Sequence, residues 1–306
     1  MIGSTGAGRR FRAAARGLAL AVLGSALACL PLAACDSGGD AGAEGSLPPS
    51  GATLEVRPGV SADVYPPAAA SGDPVPIVLL VPGGGWETAD RTGLAPLAER
   101  LVAAGVLVVN TTYRAGRDGV TFPVPVQDVI CAAGFAVAQA ADRGLAEGPL
   151  VVVGHSAGGH LAALTALDDR SLAAAPSDDD PCPDDPPTVE GLVGLAGIYD
   201  AAAFRDNLMG FFDSQPDEDP DAWRSGDPVQ LVDSAPAGLR VLLLHGDDDD
   251  LVPLSQSQTF EKALQDAGIP VELQVVPGAD HARLYQADVV ADPIIEWVSA
   301  LADRQG

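Results

Sequence analysis

The chain has 306 residues, with 42 Asp and Glu against 17 Lys and Arg, a formal charge of −25 and 47% apolar residues. A field of that sign repels a phosphate backbone, so no nucleic-acid partner is expected. The apolar share is enough for a substantial core, which excludes a globally disordered chain, and the length fits one large domain or at most two small ones.

Residues 1–35 read as an address. Arg9, Arg10, Arg12 and Arg16 precede an apolar run from Gly17 to Leu30, and Leu32-Ala33-Ala34-Cys35 follows, with no acid anywhere in the segment. That is the order of a signal peptide, and the run is too short for a comfortable membrane span. Leu-Ala-Ala-Cys resembles a bacterial lipobox. The resemblance implies lipidation of Cys35 as the mature first residue, and an extracytoplasmic protein whose contact with membrane is that anchor; ordinary secretion is the alternative.

Residues 36–51 are rich in Gly, Ser, Pro and acid and read as a flexible linker, so the folded domain is expected over 52–306. Two cysteines fall in it, Cys131 in a helical pattern and Cys182 in the acidic loop PSDDDPCPDDPP. In an oxidising exterior a disulfide between them is favoured over two unconnected thiols. Neither has a second Cys or a His at ligand spacing, so no metal site is expected.

From Val75 onward strand-length apolar runs alternate with helical patterns. The runs are Val75–Val81, Val106–Asn110, Leu150–Val153, Leu192–Ala196, Leu239–Leu244 and Val271–Val276; the helical patterns cover Leu94–Ala104, Val126–Arg143, Ala157–Leu167, Ser255–Ala267 and Asp288–Ala302. Runs without polar alternation suit strands covered on both faces, and the alternation predicts a mostly parallel central sheet with helices on both sides. The segment 201–236 breaks the rhythm, and Tyr199, Phe204, Phe211, Phe212 and Trp223 crowd the stretch from Tyr199 to Trp223. A small cap over a pocket is the functional reading, and a loop with its own apolar cluster is the plainer one.

Gly154-His155-Ser156-Ala157-Gly158 stands directly after a predicted strand and before a predicted helix. A G-x-S-x-G turn in that context projects a nucleophile above the strand ends, and the start of the helix offers free N–H groups to an oxyanion. Of the four histidines, His155 adjoins the serine and is expected to point elsewhere on so sharp a turn. His160 lies along the helix, and His245 ends a strand where a hydrogen bond to its loop is the expected role. His281, in the loop after the last strand, is the preferred base.

These motifs, with His245-Gly246-x-x-Asp249-x-x-Val252-Pro253 and Gly278-x-x-His281, resemble the α/β-hydrolases of the acetyl-esterase, feruloyl-esterase-like and hormone-sensitive-lipase-like group, over about Val75 to Trp297. The order Ser, Asp, His is the one this fold uses. The resemblance implies Ser156 as nucleophile, His281 as base and Asp249 as the acid that orients it, with Asp248 and Asp250 as alternatives in a run of four aspartates. It also implies an oxyanion hole of Gly84, Gly85 and Ala157, although Pro82 stands where the family has His. Trp86 and Tyr199 are expected to line the pocket, and Asn110–Arg114 resembles a structural segment of the family.

The activity so implied is hydrolysis of small carboxylic esters, with short acyl chains favoured and no cofactor. Oligomeric state is not legible. A peptidase or amidase of the prolyl-oligopeptidase type would share the catalytic residues but usually carries a large additional domain, for which the stretch before the core leaves no room. A non-catalytic binding protein on the same fold is the other alternative.

Overall fold

A computed structural model describes residues 51–68, 72–167, 172, 182 and 186–304. Cys35, almost all of the expected linker and most of the acidic loop around Cys182 lie outside the described residues.

The described chain starts with a hairpin that the apolar runs did not announce, β1 (Ala52–Arg57) and β2 (Val60–Tyr65), paired antiparallel. Val60, Ala62 and Val64 face inward and alternate with half-exposed neighbours, the period of a strand covered on one face. The remaining strands are β3 (Val75–Val81), β4 (Leu107–Thr111), β5 (Glu147–His155), β6 (Gly191–Leu195), β7 (Arg240–Gly246) and β8 (Val271–Val276). All eight form one sheet in the order β1-β2-β4-β3-β5-β6-β7-β8. β2 meets β4 antiparallel, and every pairing from β4 to β8 is parallel.

The apolar runs are apolar because alternate residues feed two cores. Ile77, Leu79 and Val81 of β3 join a cluster under α2 (Val124–Asp142), α3 (Ala157–Leu167) and α7 (Ser255–Asp266). Val78 and Leu80 join a second cluster under α1 (Ala95–Ala103) and α8 (Ala287–Ala302). Each fully buried large aliphatic side chain contributes about 1.5–3 kcal/mol. α2 is long and apolar enough to cross a membrane by length and composition, but it is largely buried within the first cluster. α3 is buried along all eleven of its residues.

Between β6 and β7 lies the insert, with α4 (Arg205–Phe212), α5 (Pro220–Ser225) and α6 (Pro228–Leu231). Asp219 and Asp227 cap α5 and α6 by accepting from the N–H groups of Ala222 and Val229, and Pro occupies the first helical position of each. The aromatics that crowd this stretch pack on one another: Phe212 lies 4.2 Å from Trp223 and 5.0 Å from Phe211, and Phe122 closes the group.

Cys131 in α2 and Cys182 are joined as a disulfide, with Cα atoms 5.1 Å apart. Arg57 Nη1 donates to Cys131 Sγ and pairs with Asp128. Arg114, in the segment read as structural, donates to the same buried carboxylate through Nη2 at 2.7 Å, tying the loop after β4 to α2.

Candidate active site

Ser156 sits between β5 and α3 with φ +54°, the left-handed region that a serine adopts only when its surroundings hold it there. Its N–H donates to Leu195 O of β6 at 2.9 Å, and its carbonyl accepts from His160 N. The flanking glycines are required by space: a Cβ on Gly154 would fall on the carbonyl of Gly158, and one on Gly158 would fall on the carbonyls of Val81 and Pro82. Strand β5, the end of β3 and helix α3 therefore close on one another around the serine.

His281 is carried by the loop after β8, and its Nδ1 lies 2.7 Å from Asp249 Oδ2. The other oxygen of Asp249 accepts from the N–H groups of Leu251 and Val252, and its side chain is fully buried. Asp249 is thus the member of the aspartate run that meets the histidine. Asp247 instead accepts from Gly278 N, and Asp248 and Asp250 are exposed. His245 is held as expected, with Nε2 on Val252 O at 2.8 Å and Nδ1 on Ser257 Oγ at 2.7 Å, and burial lowers its pKa.

His155 does not point away from the site. Its Nε2 lies 3.0 Å from the carbonyl oxygen of His281, and burial, with the field of His281 adding to it, lowers its pKa to about 4.

Gly83, Gly84 and Gly85 after β3 line a cavity of about 540 Å³ together with His155 and His281. Gly84 has φ +137°, and a Cβ there would fall on the carbonyl of Thr88, so no other residue fits. Ala157 is the first residue of α3, where backbone N–H groups have no partner within the helix.

Two expected pocket residues belong to the core instead. Tyr199 has no exposed surface and stacks on Phe260 at 4.5 Å, under the insert. Trp86 is turned inward: its Nε1 donates to His160 Nδ1 at 3.2 Å, and His160 Nε2 in turn donates to Gly226 O at 2.8 Å. Complete burial lowers the pKa of His160 to about 4, so this bridge is a neutral imidazole. The residues that do line the cavity, Thr88, Asp90, Thr92, Leu251 and Tyr285, were missed. Their shared signal is position, in loops that follow strands at the carboxyl edge of the sheet. Among the described residues, no group of three or more His, Cys, Asp or Glu is disposed to hold a metal ion.

The BD-FAE family model matches residues 62–264, two thirds of the chain. The chain belongs to the BD-FAE family. The BD-FAE match runs from β2 into α7 and contains the Ser156 elbow and Asp249, while His281 follows it. Esterase LipQ of Mycobacterium tuberculosis is 31% identical over 76% of this chain and 56% of its own length. Esterase LipC of the same organism is 32% identical over 68% and 53%. This BD-FAE chain thus spans about half the length of the curated relatives it matches. A thermophilic esterase of Thermogutta terrifontis, solved with propionate bound, superposes with a TM-score of 0.66 at 21% identity over 84% of this chain and 95% of that one. The fold is the α/β-hydrolase fold.

Proposed function

We propose that the chain is a serine hydrolase of carboxylic esters, working through Ser156, His281 and Asp249. The observation that carries this reading is the His281–Asp249 pair, 2.7 Å apart, with His281 lining a cavity that His155, the residue before the strained Ser156, also lines. Family membership and the esterase names of the relatives support it.

Ser156 Oγ attacks the acyl carbonyl while His281 takes its proton, and Asp249 holds the imidazole in the tautomer with Nδ1–H and stabilises the imidazolium. The N–H groups of Gly84, Gly85 and Ala157 receive the oxyanion. His281 returns the proton to the leaving alcohol, and water repeats the sequence to release the acid.

Short acyl chains are part of this reading, since the cavity lining holds one large aliphatic side chain, Leu251, beside Ala282 and the ring of Tyr285. The deciding test is fluorophosphonate labelling of wild type and Ser156→Ala with turnover of p-nitrophenyl esters in parallel. Label and turnover that vanish together in the variant, with acetate and butyrate preferred to long chains, are the expected result. A folded wild type that takes no label overturns the reading.

The segment before the domain we read as a lipoprotein signal ending at Cys35, followed by a tether, which puts the hydrolase outside the cytoplasm. The Cys131–Cys182 disulfide supports that side of the membrane. Cys35→Ala is expected to move the protein from the membrane to the soluble fraction of cells.

A further inference from the structure

One buried imidazole beside the reacting serine has no part in the chemistry just described. His155 precedes Ser156 in the chain and is 6% exposed. Its Nε2 lies 3.0 Å from the carbonyl oxygen of His281; a carbonyl only accepts, so Nε2 carries the proton and donates. Its Nδ1 then has no hydrogen and faces Gly83 of the oxyanion loop, where a Cβ would stand 2.9 Å from that nitrogen and 3.2 Å from the Cβ of Ser156. The ring of His281 lies 4.7 Å away on one side and that of Tyr285 4.7 Å away on another. Tyr285 donates to Asp90 O, and its ring fills the space over Gly93 where a Cβ would fall. A single side chain therefore touches the base's loop, the oxyanion loop and the cavity wall.

We propose that His155 is a positioning residue: its Nε2–H holds the backbone of His281 and so fixes the base relative to Ser156, one residue away. The inference rests on the proposed roles of Ser156 and His281. Neutrality is part of the device. The charged or titratable groups that bear on His155 are His281, Asp249, His245 and Tyr285. A neutral ring 4.7 Å from His281 leaves the imidazolium of the reacting state unopposed, whereas a second cation there would repel it.

The test uses the whole protein and two substitutions, His155→Phe, which keeps a ring and loses the donor, and His155→Gln, which keeps a donor at nearly the Nε2 position. For p-nitrophenyl butyrate, His155→Phe is expected to lower kcat about 10- to 100-fold, as a misplaced base does, and to move the pH midpoint of kcat/KM. KM should stay within about threefold, since the group stabilises the transition state through His281 and not the bound ester. His155→Gln is expected to restore kcat to within about fivefold of wild type with the wild-type midpoint. Wild-type kcat in a folded His155→Phe protein overturns the proposal, and so does an equal loss in both variants without a change of midpoint, which marks packing alone. If His155→Phe fails to fold by circular dichroism, His155→Met, which also fills the space without a donor, replaces it with the same two readouts and the same overturning results. Labelling of the wild-type serine is read first: wild type that labels but is indifferent to His155 removes only this role, and wild type that does not label removes the triad with it.

Discussion

Asp249 divides its carboxylate between two tasks, Oδ1 closing the turn through Leu251 and Val252 and Oδ2 orienting His281. Asp249→Asn keeps the turn within reach and loses the charge, so kcat is expected to fall on the order of 10³- to 10⁴-fold, while Asp248→Asn and Asp250→Asn stay near wild type; a steady-state comparison of the three checks this. The run of four acids made the choice ambiguous in the sequence. The spacing to Val252-Pro253 pointed to Asp249, and Asp249 is the one that meets His281, because the bend from Asp249 to Val252 buries that one side chain and leaves its neighbours in water. Tyr199 and Trp86 show the converse. Aromatic crowding marked an apolar region correctly, but whether a ring faces a pocket or a core depends on packing partners far along the chain, Phe260 for one and His160 for the other. His155 was misread for a related reason: a sharp turn fixes where the serine goes and leaves the preceding side chain to the loop after β8.

The elements of the site are tied by few polar bonds between large apolar faces. His160 on α3 accepts from Trp86 of the glycine loop after β3 and donates to Gly226 of the insert. Trp86→Phe leaves Nδ1 of a fully buried imidazole without a donor and is expected to cost about 1–3 kcal/mol in urea denaturation. Strands covered on both faces were legible as unbroken apolar runs, and α3 starts and stops where the pattern does. β8 was expected among those strands and is not one of them: it is an edge strand that carries Glu272 and Gln274, and none of its six residues is buried. The β1–β2 hairpin was not legible, because β2 is covered on one face and its six residues alternate, a pattern too short to stand out. The course of α4 to α6 was not legible either, since helices of four to eight residues depend on caps such as Asp219 and Asp227 more than on periodicity.

For the molecule as a whole, acid and reduction are the two conditions to which stability should respond. The pKa values of His155 and His160 are lowered to about 4 by burial, and that of His245 is lowered too. The unfolded chain binds protons on these rings below about pH 6.5 that the native chain refuses, so their contribution is lost as pH falls from about 6.5 toward 4. Asp227 works the other way. Burial, with Asp200 adding to it, raises its pKa to about 6, so the native chain holds a proton there that the unfolded chain has released. Denaturation at pH 7 and pH 5 is expected to show lower stability at pH 5, with Asp227→Asn steepening the loss. The Cys131–Cys182 bond spans 51 residues, and its reduction, or Cys131→Ala with Cys182→Ala, is expected to cost about 2–4 kcal/mol through the freedom restored to the unfolded chain. A melt that is unchanged by reductant would contradict this.

The helix that follows the serine has no face toward water, whereas α4 exposes Met209 and Arg205, and Leu251 stands at the cavity rim more than half exposed. In mutational terms the site is two territories. Along Ala157–Leu167 a deep substitution scan should tolerate little beyond exchanges of similar volume, because every change displaces a neighbour. On α4 and at Leu251 the same scan should accept changes of charge and size with little loss of folded protein. The cavity wall at Leu251 can therefore drift while the turn that holds Ser156 stays fixed.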